Sequence, residues 1–155
     1  MDSSRSSSRR RRTVKRRSRI WKSRMSYSAD TRTKDERMDD KQCVGVIGLG
    51  KIGGGLATNL LKAGFAVSVL DLDESRMQRV TTLGAQPLET PAAMAERCSV
   101  VFLSLYNGET VERVLFGESG LATAPHVSGV TVVDTTTVAP EESRAFARRL
   151  KELSV

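Results

Sequence analysis

Three glycines have the clearest claim to chemistry: Gly48, Gly50 and Gly53, in the run Gly48-Leu49-Gly50-Lys51-Ile52-Gly53. A G-x-G-x-x-G string suits a chain that leaves a strand, turns sharply and enters a helix. The first glycine permits the turn, the second lets backbone approach a pyrophosphate, and the third lets helix and strand pack closely. Amide groups free at the helix start, with the positive end of the helix dipole, attract phosphate. Three glycines by themselves equally suit a loop that merely packs a helix on its strand. An acid about 20 residues further on discriminates, because it can accept hydrogen bonds from the ribose hydroxyls of an adenosine. Asp71 lies 23 residues after Gly48, at the end of the next apolar run. Its charge would repel an extra phosphate, so the expected cofactor is NAD ahead of NADP. The other reading of Asp71 is a helix cap, a role that Asp73 and Glu74 fit better.

The elements that must position these residues alternate. Residues 43–47 form a continuous apolar run broken by Gly45, as in a central parallel strand covered on both faces. Ile52, Leu56, Leu60 and Ala63 recur at helical spacing over residues 51–62, and Gly64 ends that helix. Gly54 and Gly55 weaken an ordinary helix, so their presence in its first turn predicts close approach of another group. Strands are expected at 65–70, 85–88, 99–105 and 131–134, with helices at 74–83, 91–97, around 111–115 and from 140 onward. Thr90-Pro91 reads as a cap followed by a first-position proline. Alternation of this kind specifies a Rossmann-like, doubly wound α/β fold with a parallel sheet and right-handed crossovers. Ligands then lie beyond the carboxyl ends of the strands. Residues 48–53, Asp71, residues 105–110 and residues 135–137 all fall at that edge.

Charge divides the chain. Residues 1–41 hold 15 Lys or Arg against 6 Asp or Glu, and residues 42–155 hold 10 against 12. The net charge of +7 therefore belongs to the first segment. That segment, rich in Arg and Ser, is expected to be a disordered tail, and residues 42–155 the folded domain. Four readings of the tail stay open: a solvated chain without specific role, a nuclear-localisation or nucleic-acid patch over residues 5–24, an organellar transit peptide, or a start placed too far upstream of Met25 or Met38. The cytoplasm is the default location, with mitochondrion or nucleus following if the tail is an address. Cys43 and Cys98 read as buried thiols and not as a disulfide or metal framework. No apolar run approaches 18 residues, so no membrane span is expected.

Longer strings of residues carry a resemblance. The glycine run continues into Leu56-Ala57, Asn59-Leu60 and Lys62-Ala63-Gly64, and a second block reads Asp134-Thr135-Thr136-Thr137-Val138-Ala139-Pro140 with Arg144 beyond. Together they resemble the β-hydroxyacid dehydrogenase family, of which 3-hydroxyisobutyrate dehydrogenase is the best-known type. Its dinucleotide-binding domain belongs to the 6-phosphogluconate dehydrogenase superfamily. The resemblance covers nearly all of residues 44–153. It implies that Gly48, Leu49, Gly50, Lys51, Ile52 and Gly53 cradle the cofactor and that Asp71 takes its ribose. It further implies that Leu105, Tyr106 and Thr110 lie along the cofactor. Thr137 then stands near the nicotinamide, and Thr136 stands where the family has a substrate-holding serine.

Departures from the family qualify these roles. The family often has Leu-Pro where Leu105-Tyr106 stands, and its NADP-preferring members tend to carry Asn-Arg where this chain has Asp71-Leu72. Family enzymes continue into a glycine-rich substrate motif and a helical domain that supplies a catalytic lysine and the dimer interface. Here Lys51 sits in the phosphate loop, while Lys62 and Lys151 lie on helices, none at the catalytic motif position. The lone His126 reads as a surface loop residue. The expectation is a truncated dehydrogenase that binds dinucleotide and does not complete catalysis. A β-hydroxyacid partner would require the further domain. The alternative is a non-catalytic module that senses dinucleotide or docks to a partner or nucleic acid.

Overall fold

A computed structural model describes residues 43–155. The readings of residues 1–41, including the nucleic-acid patch and the transit peptide, lie outside the described residues. Five parallel strands form one sheet in the order β3-β2-β1-β4-β5: β1 Val44–Ile47, β2 Val67–Leu70, β3 Gln86–Pro87, β4 Val100–Leu103 and β5 Thr131–Asp134. Five helices connect or follow them: α1 Lys51–Lys62, α2 Glu74–Thr81, α3 Pro91–Arg97, α4 Gly108–Phe116 and α5 Pro140–Glu152. A 3₁₀ turn spans Leu121–Thr123. The chain builds outward from β1 to β3, then crosses back to β4 and β5, so the strand order reverses between β1 and β4. That reversal opens the crevice in which parallel α/β sheets bind ligands.

Alternating side chains divide the core between the two sheet faces. Val46, Val67 and Val69 pack with Ala57 of α1 and Val80 of α2. Ile47, Val101 and Leu103 pack on the other face with Met94 of α3, Val111 and Leu115 of α4, and Phe146 and Leu150 of α5. Val46, Val69, Val101 and Leu103 are wholly buried, and each such side chain contributes about 1.5–3 kcal/mol. Gly45, the break in the first apolar run, has a packing cause. A Cβ there would stand 2.6 Å from Cγ and Sδ of Met94, so α3 lies directly against β1. Among the described residues no helix is long and apolar enough to cross a membrane.

The expected strands are all present; β5 has its expected bounds and the others are shorter than the apolar runs that announce them. β4 was expected to reach Leu105 and ends at Leu103. The Ser104 amide still bonds to the Ile47 carbonyl, but the Leu105 amide turns to the Thr136 hydroxyl at 3.0 Å. A side-chain acceptor thus ends the ladder. β3 shrinks to two residues at the sheet edge, where Pro87 needs no ladder partner. α2 ends at Thr81, two residues short of the expected end, and Gly84 follows with a φ of 103°.

Candidate dinucleotide site

The site begins at the carboxyl end of β1. Gly48 has a φ of 90°, and a Cβ on it would run into the Ser104 carbonyl. Both constraints admit only glycine at this turn. Gly53 is buried, and a Cβ there would strike the Gly48 carbonyl, so α1 can start only in this tight contact. Gly50 is different. A Cβ there would meet no atom within 4 Å, which leaves an open face above the loop.

That open face is bordered by unspent donors. The first bond of α1 runs from the Gly54 amide to the Gly50 carbonyl, so the amides ahead of it have no acceptor within the helix. No side chain caps α1, and its first turn holds no acid. The Gly50–Gly53 backbone therefore suits an incoming anion. Ile52 is 67% exposed beside it, Lys51 is exposed, and Leu49 is buried in the core. Leu49 can serve a ligand only through its backbone, and its amide already donates to the Asp71 carboxylate at 2.5 Å.

Asp71 closes the second side. One carboxylate oxygen accepts from Leu49 and the other from the Asp73 amide at 2.8 Å. A carboxylate has about four lone-pair positions, so acceptor capacity remains for ribose hydroxyls. The structure adds a neighbour that the sequence reading missed. Arg76 lies 3.8 Å from Asp71 and 3.1 Å from Asp73. The signal for it was local, an Asp-x-x-Arg spacing that puts 73 and 76 on one helix face. Asp73 caps α2, accepting from the Ser75 and Arg76 amides. The Ser75 hydroxyl and the Arg76 amide hold its carboxyl below the usual range.

Between α1 and α2 a cleft of about 580 Å³ opens from the glycine loop. Gly50, Gly55 and Asn59 line one side of it, and Arg76 and Arg79 the other, with Lys51 at the loop. Gly55 faces this open space, so its lack of side chain widens the cleft. The close approach expected at Gly54 and Gly55 holds at Gly54 alone, where an added Cβ would stand 3.0 Å from the Leu49 carbonyl oxygen; at Gly55 it would meet nothing within 4 Å.

Across the crevice stand the remaining candidates. Leu105 is half-buried and Tyr106 is 94% exposed. Thr110 spends its amide and hydroxyl on Asn107, which caps α4. Thr136 holds the Leu105 amide, and its own amide donates to Asp134 at 2.8 Å. Thr135 bonds to the Leu103 carbonyl through both its amide and hydroxyl. Thr137 is exposed at the same edge. The structure thus gathers all the candidates at the carboxyl edge of the sheet: the glycine loop, Asp71, residues 105–110 and residues 136–137. Lys62, Lys151 and His126 are exposed on helices and a loop and do not join them. Among the described residues no cluster of three or more His, Cys, Asp or Glu could hold a metal ion.

Comparison with known proteins agrees with this geometry. The family described as the NAD binding domain of 6-phosphogluconate dehydrogenase matches residues 43–155. The chain is 42% identical over 109 residues to L-threonate dehydrogenase of Cupriavidus necator, covering 70% of this chain and 36% of that protein. It is 36% identical over 105 residues to 3-hydroxyisobutyrate dehydrogenase of Pseudomonas aeruginosa, covering 67% and 35%. The crystal structure of 3-hydroxyisobutyrate dehydrogenase from Salmonella typhimurium superposes with a TM-score of 0.65 at 26% identity, covering 72% of this chain and 39% of that one. The chain spans about a third of the length of the curated relatives it matches. It belongs to the family of the NAD binding domain of 6-phosphogluconate dehydrogenase, and its relatives include proteins named as 3-hydroxyisobutyrate and L-threonate dehydrogenases.

Proposed function

We propose that this domain holds NAD(H) in preference to NADP(H). The pyrophosphate lies on the amides of residues 50–53, and the adenosine ribose lies on Asp71. The observation that carries the preference is the Asp71 carboxylate, fixed by two backbone donors at the end of β2. Its charge opposes a 2′-phosphate and its spare lone pairs suit ribose hydroxyls. Arg76 and Arg79 would favour a phosphate in the same cleft. Arg76, however, already lies within ion-pair reach of two carboxylates, Asp71 and Asp73, so much of its charge is answered.

In the whole protein the bound nicotinamide exchanges hydride with a small β-hydroxyacid. Support comes from the relatives named as dehydrogenases of L-threonate and 3-hydroxyisobutyrate. Residues 48–53 and Asp71 bind and orient the cofactor, while Thr136 fixes Leu105 at the opposite wall and presents its hydroxyl near the substrate side. Titration of the full chain with NADH and NADPH tests the preference. NADH is expected to bind more tightly, and Asp71→Ala is expected to narrow the ratio about tenfold, or about 1.4 kcal/mol. An unchanged ratio would refute the ribose role.

A further inference from the structure

The opposite edge of the sheet holds a second chemical feature. Cys43 stands just before β1 and Cys98 two residues before β4. These strands are hydrogen-bonded neighbours, with Val44 paired to Val100. Their register brings the two Sγ atoms to 2.7 Å, as free thiols. The two thiols are thus in direct contact across neighbouring strands. Cys98 is buried, whereas Cys43 is partly buried, so Cys43 is the more accessible of the two.

We infer that Cys43 and Cys98 form a redox-modification site, in which a hydroperoxide oxidises Cys43 and Cys98 resolves it as an intramolecular disulfide. The Cys43 thiolate attacks one peroxide oxygen. An S–O bond forms, the O–O bond breaks, and the departing oxygen leaves as water after protonation. Cys98 sulfur then attacks the sulfenic sulfur of Cys43. The S–S bond forms, the S–O bond breaks, and hydroxide leaves with the Cys98 proton as a second water. Two thiols lose two electrons and two protons, and hydrogen peroxide is reduced to two waters.

The surroundings divide the two roles. The Cys98 thiol, the Ser68 hydroxyl at 3.3 Å and the nearby Arg97 favour the Cys43 thiolate, which is pushed down to about 6. Cys98 is pushed up by its hydrogen bond to Cys43 and by burial, so it keeps its proton while Cys43 is reduced. Met94 Sδ, 3.8 Å from Cys98, packs the pair from the α3 side. Both cysteines lead into core strands, and the β1 strand of four residues separates them from the glycine loop by roughly 13 Å. The site is thus distinct from the dinucleotide crevice.

Peroxide treatment of the reduced full chain tests this directly, with free-thiol titration and non-reducing peptide mapping. The expected result is loss of both thiols, a Cys43–Cys98 link within one chain, and recovery of both on addition of dithiothreitol. Cys98→Ser is expected to stop at a Cys43 sulfenic acid captured by dimedone. Cys43→Ser is expected to leave Cys98 unreacted at peroxide levels that consume the wild-type thiols. Alkylation of wild-type Cys43 should be half-maximal near pH 6 and level above it, because the thiolate is already formed there. Peroxide that leaves both thiols free, or that carries Cys43 to sulfinic acid or to links between chains without a Cys43–Cys98 bond, would overturn the inference. The wild-type mapping decides the question even if a variant fails to fold.

Discussion

Helices α1 and α2 both start at the carboxyl edge of the sheet, and they start differently. α2 is closed by its own sequence: Asp73 accepts from the Ser75 and Arg76 amides, and Glu74 adds a negative charge to its first turn. α1 has neither a side-chain cap nor an acid. α3 and α4 follow α2 in having a side-chain cap, while α5 has none but carries Glu141 and Glu142 in its first turn. Thr90 accepts from the Ala93 amide, Asn107 from the Thr110 amide, and Glu142 reaches back to the Ala139 amide. An unsatisfied helix start costs stability, and the usual remedy is a polar residue at the cap. Gly50 has room for one, since a Cβ there meets nothing within 4 Å, and its extended backbone is open to any residue. In the proposed function the open start of α1 is given to an exogenous anion, and the closed start of α2 is left as architecture.

Giving α1 the kind of cap α2 has should break the distinction. Gly50→Asp is expected to weaken NADH binding by about 100-fold or more, near 2.7 kcal/mol, because the carboxylate takes the amides and repels phosphate. The same change should leave folding stability unaltered or raised by about 0.5 kcal/mol. Isothermal titration and urea unfolding measure the two effects, and loss of both binding and stability would contradict the account. Removing the cap of α2 should give the opposite pattern. Asp73→Ala is expected to lower stability while changing NADH affinity by less than about twofold. The depressed Asp73 carboxyl stabilises the fold above its unfolded range, and that contribution is lost as pH falls through its folded value. The variant should therefore show a flatter acid limb in unfolding curves recorded against pH.

The sequence made the glycine loop, the parallel α/β fold and most caps legible, because each rests on residues close together in the chain. Gly48 and Gly53 work through contacts with Ser104 and with each other's turn, and their spacing announces this. Thr90-Pro91 and Asp73 likewise act within a few residues. What stayed hidden depends on the third dimension. The end of β4 is set by a hydroxyl 31 residues away, when Thr136 takes the Leu105 amide. The gap left by Gly45 is filled by Met94, from a helix on the sheet face. Arg76 lies outside the resemblance, in which the arginine of NADP-preferring members stands at position 72, and its place beside Asp71 depends on how α2 leaves β2. The two thiols differ in burial: Cys98 is buried, and Cys43 is partly buried against the core. Their contact follows from the adjacency of β1 and β4, which the spacing of 55 residues does not disclose.

The central claim is that the open start of α1 is where the dinucleotide pyrophosphate binds, and an NMR titration of the isotope-labelled full chain with NADH tests it most directly. The account predicts that the amide signals of Gly50, Lys51, Ile52 and Gly53 move progressively and saturate together, while those of the already capped Ser75 and Ala93 move much less. NADH that binds without displacing the residue 50–53 signals, or that moves the capped starts by as much, would contradict it.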